Sequence, residues 1–221
     1  MKLDAVIFDM DGTITDTEKY YNRTWPLAFA ACGYSDFTRD DALMQRSLNH
    51  EDAQKLWENR YGKDFCFETV HKCNTNLVLD LMAREGIEAK PGVDALLAVL
   101  KKENIKTAVA TASKLNRALD RLKAVHLENA FDIVISASMV KRGKPYPDIY
   151  LHVCKELGVD PAHCVALEDS PNGIRSAHDA GCITIMIPDL TPPTPDLTPL
   201  LYDWAEDLSK VIPLISRLQE S

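Results

Sequence analysis

The chain has 221 residues, of which 46% are hydrophobic, and it carries a formal net charge of -8 at pH 7. That length suits one core domain with an insertion better than two full domains, and the apolar fraction is enough for a sizeable core. The negative charge argues against a nucleic-acid-binding protein, which usually presents a basic face. No stretch reaches the roughly 18 consecutive apolar residues that a membrane span requires.

The cysteines form no CxxC pair and no zinc-ligand spacing; they stand at positions 32, 66, 73, 154, 164 and 182. Scattered thiols of this kind are typical of a reduced intracellular protein. The first residues lack the apolar segment of a secretory signal, because Asp4, Asp9 and Asp11 interrupt it. We therefore expect a cytoplasmic protein. We also expect a monomer, since no helix carries an unexplained long apolar stripe.

Strands and amphipathic helices alternate through most of the chain. Apolar runs bounded by turn residues predict five buried strands, at 3–8, 106–110, 132–135, 164–167 and 183–187. Helical periodicity predicts helices at 92–103, 113–125 and 149–157, and Ser170-Pro171 begins another. This order predicts an α/β fold, a doubly wound parallel sheet of the Rossmann-like type with helices on both faces.

Residues 16–86 interrupt this alternation, because they contain no convincing strand. Periodicity predicts four helices there, at 17–32, 38–46, 50–61 and 67–85, and Pro26 is expected to kink or interrupt the first. The chain is therefore predicted to have an α/β core of residues 1–15 and 87–221 and an inserted all-helical cap domain of residues 16–86. Residues 188–199 hold five prolines and predict an extended surface loop.

Polar side chains gather where the predicted strands end. Two acids follow the first strand, a hydroxyl follows the second, a lysine lies in the connection between the third and the fourth, and two acids follow the fourth: Asp9, Asp11, Thr111, Lys144, Glu168 and Asp169. The carboxyl ends of parallel strands meet at one crevice, which is where such sheets bind ligands. Neighbouring carboxylates repel one another, so we expect a shared cation, most readily Mg²⁺. A metal, a lysine and backbone amides together suit phosphoryl transfer.

Four ordered motifs resemble those of the haloacid dehalogenase superfamily: Phe8-Asp9-Met10-Asp11-Gly12-Thr13, Thr111, Lys144-Pro145 and Glu168-Asp169-Ser170. The helical insertion resembles the cap of the β-phosphoglucomutase-like branch, and the run from Glu168 to Gly173 is typical of that branch. The resemblance spans nearly the whole chain. It implies a Mg²⁺ cofactor and a small phosphorylated metabolite as substrate, with no nucleic-acid or membrane partner.

The resemblance implies that Asp9 is a nucleophile that forms an aspartyl-phosphate. Asp11 is implied as the general acid that protonates the leaving oxygen and then as the base that activates water. Halide leaves without a proton, and dehalogenases of the superfamily lack the second aspartate. Asp11 therefore favours phosphate-ester chemistry over carbon–halogen chemistry.

The remaining motif residues are implied to bind the metal and the phosphoryl group. Thr111 and the amide of Ala112 hold the phosphoryl group, and Lys144 neutralises its charge together with that of the nucleophile. The implied metal ligands are the Asp9 carboxylate, the Asp11 backbone carbonyl and Asp169. Glu168 either ligates the metal directly or supports a ligand.

The cap departs from the pattern of the mutases in this branch. Their cap histidine, arginine and lysine fall at or near Tyr21, His50 and Cys73 here, so Tyr21 and His50 are the candidate substrate-binding residues of the cap; Arg46 and Lys72 stand nearby as substitutes. An imidazole does not bind a phosphate with the two parallel bonds of a guanidinium. The departure favours a phosphatase of sugar phosphates over a hexose-phosphate mutase.

Two further functions stay open from the sequence. A phosphonate hydrolase of this superfamily uses a cap lysine as a Schiff base, and the available lysines are Lys19, Lys55, Lys63 and Lys72. A non-catalytic binding protein is the other, although a protein without catalysis has no need to retain the acids.

Overall fold

A six-stranded parallel sheet forms the centre of the computed structural model, which describes residues 2–220. The strands are β1 Ala5–Phe8, β2 Lys106–Thr111, β3 Ile133–Ser136, β4 Cys164–Glu168, β5 Ile183–Met186 and β6 Asp203–Trp204. Their order across the sheet is β3-β2-β1-β4-β5-β6. The central strand β1 pairs with β2 and β4, so that the ends of these three strands lie side by side. The five predicted strands are confirmed, and the edge strand β6 is an addition.

Four helices lie between β1 and β2 and form the cap: α1 Glu18–Ala31, α2 Arg39–Met44, α3 His50–Tyr61 and α4 Phe67–Glu85. Pro26 does not interrupt α1, which continues through it, so that part of the prediction is wrong. Phe29, one turn beyond the proline, stacks on Phe37 with ring centroids 3.6 Å apart and packs edge-on against Trp57. This aromatic packing holds the last turn of α1 and gives the cap its own core.

Five helices cover the two faces of the sheet: α5 Val93–Lys102, α6 Leu115–Ala124, α7 Asp148–Leu157, α8 Pro171–Asp179 and α9 Val211–Glu220. Successive residues of a strand point to opposite faces. Val6 therefore packs in the layer of α5, α6 and α9, whereas Ile7 packs in the layer of α7 and α8. The predicted doubly wound fold is confirmed. Within residues 2–220, no helix combines the length and hydropathy needed to cross a membrane.

The segment between α2 and α3 rests on the carboxyl edge of the sheet. The backbone amide of Asn49 donates to the Lys144 carbonyl at 3.1 Å, and Asn172 donates its side-chain amide to the Arg46 carbonyl at 2.7 Å. The Ser170 hydroxyl donates to the Ser47 hydroxyl at 3.0 Å. The cap is thus seated directly over the strand ends that carry the predicted motifs.

Candidate active site

Asp9 and Lys144 form a buried ion pair at the end of β1. Asp9 is 3% exposed and Lys144 is fully buried. The Lys144 ammonium donates to Asp9 Oδ1 and to the Ala110 carbonyl, the latter at 3.0 Å. The same ammonium lies 2.5 Å from Glu168 Oε1. One buried cation is therefore shared by two buried carboxylates.

The charge balance of this group shifts the pKa of both partners. Burial, reinforced by Glu168 and Asp11, raises the pKa of Asp9 to about 8, although Lys144 opposes the rise. Burial also opposes the charge on Lys144, but Asp9 and Glu168 outweigh it and raise the pKa of the ammonium. Two acids facing one ammonium leave the site short of positive charge.

A metal fits this deficit. Asp9, Glu168 and Asp169 each place a carboxylate oxygen within 4.8 Å of the other two. Asp9 Oδ2 and Asp169 Oδ1 are buried and accept no hydrogen bond, whereas Glu168 Oε1 accepts one from the Tyr150 hydroxyl at 2.5 Å. Burial raises the pKa of Asp169 well above its usual range. Unpaired carboxylate oxygens of this kind are ligands that Mg²⁺ prefers.

Two glycines allow the acidic side chains to lie this close to the backbone. A Cβ on Gly12, which has a φ of +93°, would lie 2.2 Å from Asp169 Oδ2. A Cβ on Gly173, in the first turn of α8, would lie 2.0 Å from Glu168 Oε2. The Ser170 side chain caps the start of α8, because its hydroxyl accepts the Gly173 amide at 3.0 Å, and this fixes the position of Gly173. Both glycines therefore shape the acidic cluster.

Replacement of Gly173 by alanine is expected to destabilise the protein, although alanine favours a helix by about 1 kcal/mol over glycine. The new methyl group would displace the Glu168 carboxylate from Lys144 and Tyr150. Overpacking of this kind costs about 1–3 kcal/mol. Urea unfolding measures the change. Asp179→Ala, at an exposed position of the same helix, is the control, and a Gly173→Ala protein as stable as wild type would contradict the contact.

The Asp11 carboxylate lies outside the cluster of Asp9, Glu168 and Asp169, and a different set of groups holds it. Arg121 Nη1 lies 2.6 Å from both Asp11 oxygens. The Thr17 hydroxyl donates to Oδ1 at 2.5 Å, and the Ser113 hydroxyl donates to Oδ2 at 3.0 Å. Arg121 is only 3% exposed. Sequence reasoning missed this arginine, since its partner stands 110 residues away in the chain.

Thr111 and Ala112 occupy the end of β2 beside the acids. Thr111 is buried, and its Oγ1 accepts the backbone amide of Ser113 at 3.0 Å. Ala112 lines the cavity between core and cap. The structure thus brings the predicted phosphate-binding pair to the same sheet edge as Asp9 and Lys144.

The cavity between core and cap has a volume of about 580 Å³ and is lined by both predicted cap residues, Tyr21 and His50. His50 is exposed, and its Nε2 lies 3.4 Å from Glu68. Arg46, which the sequence offered only as a substitute, reaches the acidic cluster and donates to the Asp169 carboxylate. Glu18, also in the cap, lies 3.4 Å from Arg46 Nε.

A family model described as haloacid dehalogenase-like hydrolase matches residues 3–181. The chain belongs to this family. The resemblance drawn from the four motifs is therefore confirmed, and the matched residues contain all of them.

Relatives place the chain in the β-phosphoglucomutase-like branch of the haloacid dehalogenase-like hydrolases. It is 34% identical to the protein CbbY of Cereibacter sphaeroides over 84% of each chain. It is 33% identical to a phosphorylated carbohydrates phosphatase of Thermotoga maritima, over 81% of this chain and 82% of the relative. The β-phosphoglucomutase of Bacillus subtilis is 30% identical, over 82% and 81% of the two chains.

A solved structure of this branch is similar to the chain in both fold and sequence. The crystal structure of CbbY from Rhodobacter sphaeroides in complex with phosphate has a TM-score of 0.77 and 30% identity, over 95% of this chain and 96% of that one. The family and the named relatives together identify the chain as a phosphoric monoester hydrolase, with phosphoglucomutase as the alternative activity.

Proposed function

We propose that the protein is a Mg²⁺-dependent phosphatase of small phosphorylated metabolites, chiefly sugar phosphates, and that Asp9 carries the phosphoryl group as an aspartyl-phosphate. One observation carries the proposal: Asp9 is buried, with one oxygen bound by Lys144 and the other free of partners beside Asp169. In this proposal residues 16–86 cover a site built on residues 1–15 and 87–221.

The proposed reaction has two half-reactions. An Asp9 oxygen attacks phosphorus and the ester bond breaks, while Asp11 gives its proton to the leaving oxygen. Asp11 then takes a proton from water as that water attacks the phosphorus of the aspartyl-phosphate. Inorganic phosphate leaves, and the Asp9 carboxylate is restored. Lys144 holds Asp9 in place and balances its charge throughout.

Mg²⁺ would be held by Asp9, Asp169 and the backbone carbonyl of Asp11, with Glu168 beside it. A bound divalent cation keeps carboxylates ionised and neutralises phosphate oxygens. Glu168 binds both Lys144 and Tyr150. We therefore propose that Glu168 holds Lys144 in place and does not ligate the metal directly. Thr111 and the Ala112 amide would receive the phosphoryl oxygens.

The relatives' names support a sugar phosphate as substrate. The Thermotoga relative is named for phosphorylated carbohydrates, and a cavity of about 580 Å³ has a size typical of small-molecule sites. The hexose-phosphate mutase remains the second candidate because of the β-phosphoglucomutase relative. In a mutase the phosphoryl group returns to the sugar instead of passing to water.

The phosphonate hydrolase has less support. Of its four candidate lysines only Lys55 lines the cavity. The hydrogen bond to Glu51 at 2.7 Å raises the pKa of Lys55, whereas a Schiff-base lysine needs a lowered pKa.

A phosphate-release assay across phosphorylated sugars, nucleotides and small acids, with and without Mg²⁺, tests the proposal. We expect Mg²⁺-dependent release of phosphate from sugar phosphates. Conversion between two sugar phosphates that requires a bisphosphate activator, without net phosphate release, would instead establish the mutase. A folded protein that binds Mg²⁺ but is inert in both assays would leave the non-catalytic binding protein.

A further inference from the structure

A single buried arginine joins the core, Asp11 and the cap. Arg121 lies on the inner face of α6, beside the buried Ala118 and Leu122. Its Nη1 contacts both carboxylate oxygens of Asp11 at 2.6 Å and the Ser113 hydroxyl at 2.8 Å. Its Nη2 donates to the hydroxyl of Tyr21, a cap residue. Asp11 is its one carboxylate partner among residues 2–220.

Burial of a charged guanidinium costs free energy unless the group has a complete set of partners. Removing a charge from water is offset only by close pairing and by hydrogen bonds to the remaining donors. Arg121 has both, through one carboxylate and two hydroxyls. Asp11, Ser113 and Tyr21 line the cavity, while Arg121 lies behind them. It therefore acts through these groups and does not touch the substrate.

The contacts fix the direction of the Asp11 carboxylate. An Asp side chain rotates about two torsions, and its terminal torsion has a broad energy well. Here Arg121 holds both oxygens, while Thr17 and Ser113 each hold one. Thr17 and Tyr21 belong to the start of the cap, whereas Ser113 and Arg121 belong to the core. The direction of Asp11 is set jointly by the two.

We propose that Arg121 is the positioning residue for the acid–base group: it aims Asp11 at the ester oxygen, and its bond to Tyr21 makes that aim depend on the seated cap. The inference rests on the proposed role of Asp11. General acid catalysis requires placement within hydrogen-bond reach of the reacting oxygen, so a freely rotating Asp11 would lose most of its effect.

Two substrates with different leaving groups distinguish this positioning role from a merely structural one. An alkyl alcohol, as in a sugar phosphate, needs a proton to leave, whereas p-nitrophenolate leaves without one. In Arg121→Met we expect the first-turnover rate on a sugar phosphate to fall about 100-fold, in the range of lost acid–base catalysis. The first-turnover burst of p-nitrophenolate should fall less than about fivefold, and KM for the sugar phosphate less than about threefold.

Three further variants complete the experiment. Asp11→Asn should show the same asymmetry between the two leaving groups, and more strongly. Arg121→Lys should recover at least about tenfold of the lost rate on the sugar phosphate, because an ammonium can replace Nη1, the nitrogen that contacts both Asp11 oxygens. Lys123→Met, on the exposed side of α6, is the matched control and should behave as wild type.

An equal loss on both leaving groups in a folded Arg121→Met protein would overturn the inference. Should that variant fail to fold, Tyr21→Phe decides instead: it removes only the hydroxyl at the far end of the guanidinium, and it should show the same asymmetry at a smaller scale. Wild-type protein that turns over no ester would overturn the proposed function itself, and the role of Arg121 with it.

Discussion

Replacement of Asp9 by asparagine is expected to lower phosphate release by at least about a thousandfold, since the carboxamide cannot act as the nucleophile. The folded protein should survive this change. Burial disfavours the charged Asp9 carboxylate, and Lys144 keeps Glu168 and the Ala110 carbonyl as partners. The variant should therefore unfold at the same temperature as wild type or higher.

Phosphate release and thermal unfolding are measured on the same Asp9→Asn preparation. A folded variant without activity identifies Asp9 as a reacting group. Phosphate release within about tenfold of wild type would exclude Asp9 as the nucleophile, and an inactive but unfolded variant would contradict the account of its stability. Asp4→Asn, an exchange at a half-buried acid before β1, controls for the loss of one carboxylate from the same segment.

Replacement of Lys144 by methionine is expected to affect both stability and activity. The variant leaves the buried carboxylates of Asp9 and Glu168 facing each other without their shared ammonium. Removal of one partner from a buried ion pair costs about 3–5 kcal/mol. In a chain of this length each kcal/mol lowers Tm by about 2–4 °C, so a large drop in Tm should accompany the loss of turnover.

A second substitution tests the electrostatic cause of that drop. Glu168→Gln in the Lys144→Met background removes one of the two facing charges, and it should restore part of the lost unfolding free energy. Lys155→Met, at an exposed position on α7, should change stability by less than about 0.5 kcal/mol. A Lys144→Met protein as stable as Lys155→Met would contradict the buried ion pair.

The core of the fold could be predicted because its signals are local. The apolar runs of β1, β2 and β4 are long enough to mark strands buried on both faces, and α3 and α4 were predicted with the bounds that the structure has. The edge strand β6 has only two residues and one half-exposed side chain, Trp204. So short an edge element carries no periodicity that a sequence could reveal.

The strand ends likewise located the acids and Lys144, because the topology of a parallel sheet brings its carboxyl ends together. The groups that support them depend on contacts distant in the chain. The spacing of Leu115, Leu119 and Leu122 predicts an apolar inner face for α6, but Leu119 is 44% exposed and Arg121 is buried instead. A helix turns its cation inward only when a partner such as Asp11 is present, and the pattern of α6 alone does not contain that partner.

The positions of the cap side chains also depend on contacts that are distant in the chain. Arg46 and His50 stand four residues apart, yet Arg46 contacts Asp169 while His50 is exposed beside Glu68. The difference arises from how the segment between α2 and α3 sits on the core, through Asn49 and Asn172. Such seating depends on tertiary packing and not on helical periodicity.

The most direct test of the account is a search for the phosphoryl group on Asp9 during turnover. The reaction with a sugar phosphate substrate and Mg²⁺ is quenched in acid within one turnover, and the peptides are analysed by mass spectrometry. We expect the peptide containing Asp9 to gain the mass of one phosphoryl group, and the Asp9→Asn protein to show no such gain. Turnover by wild-type protein without any phosphorylated peptide, or with the group on another residue, would contradict it.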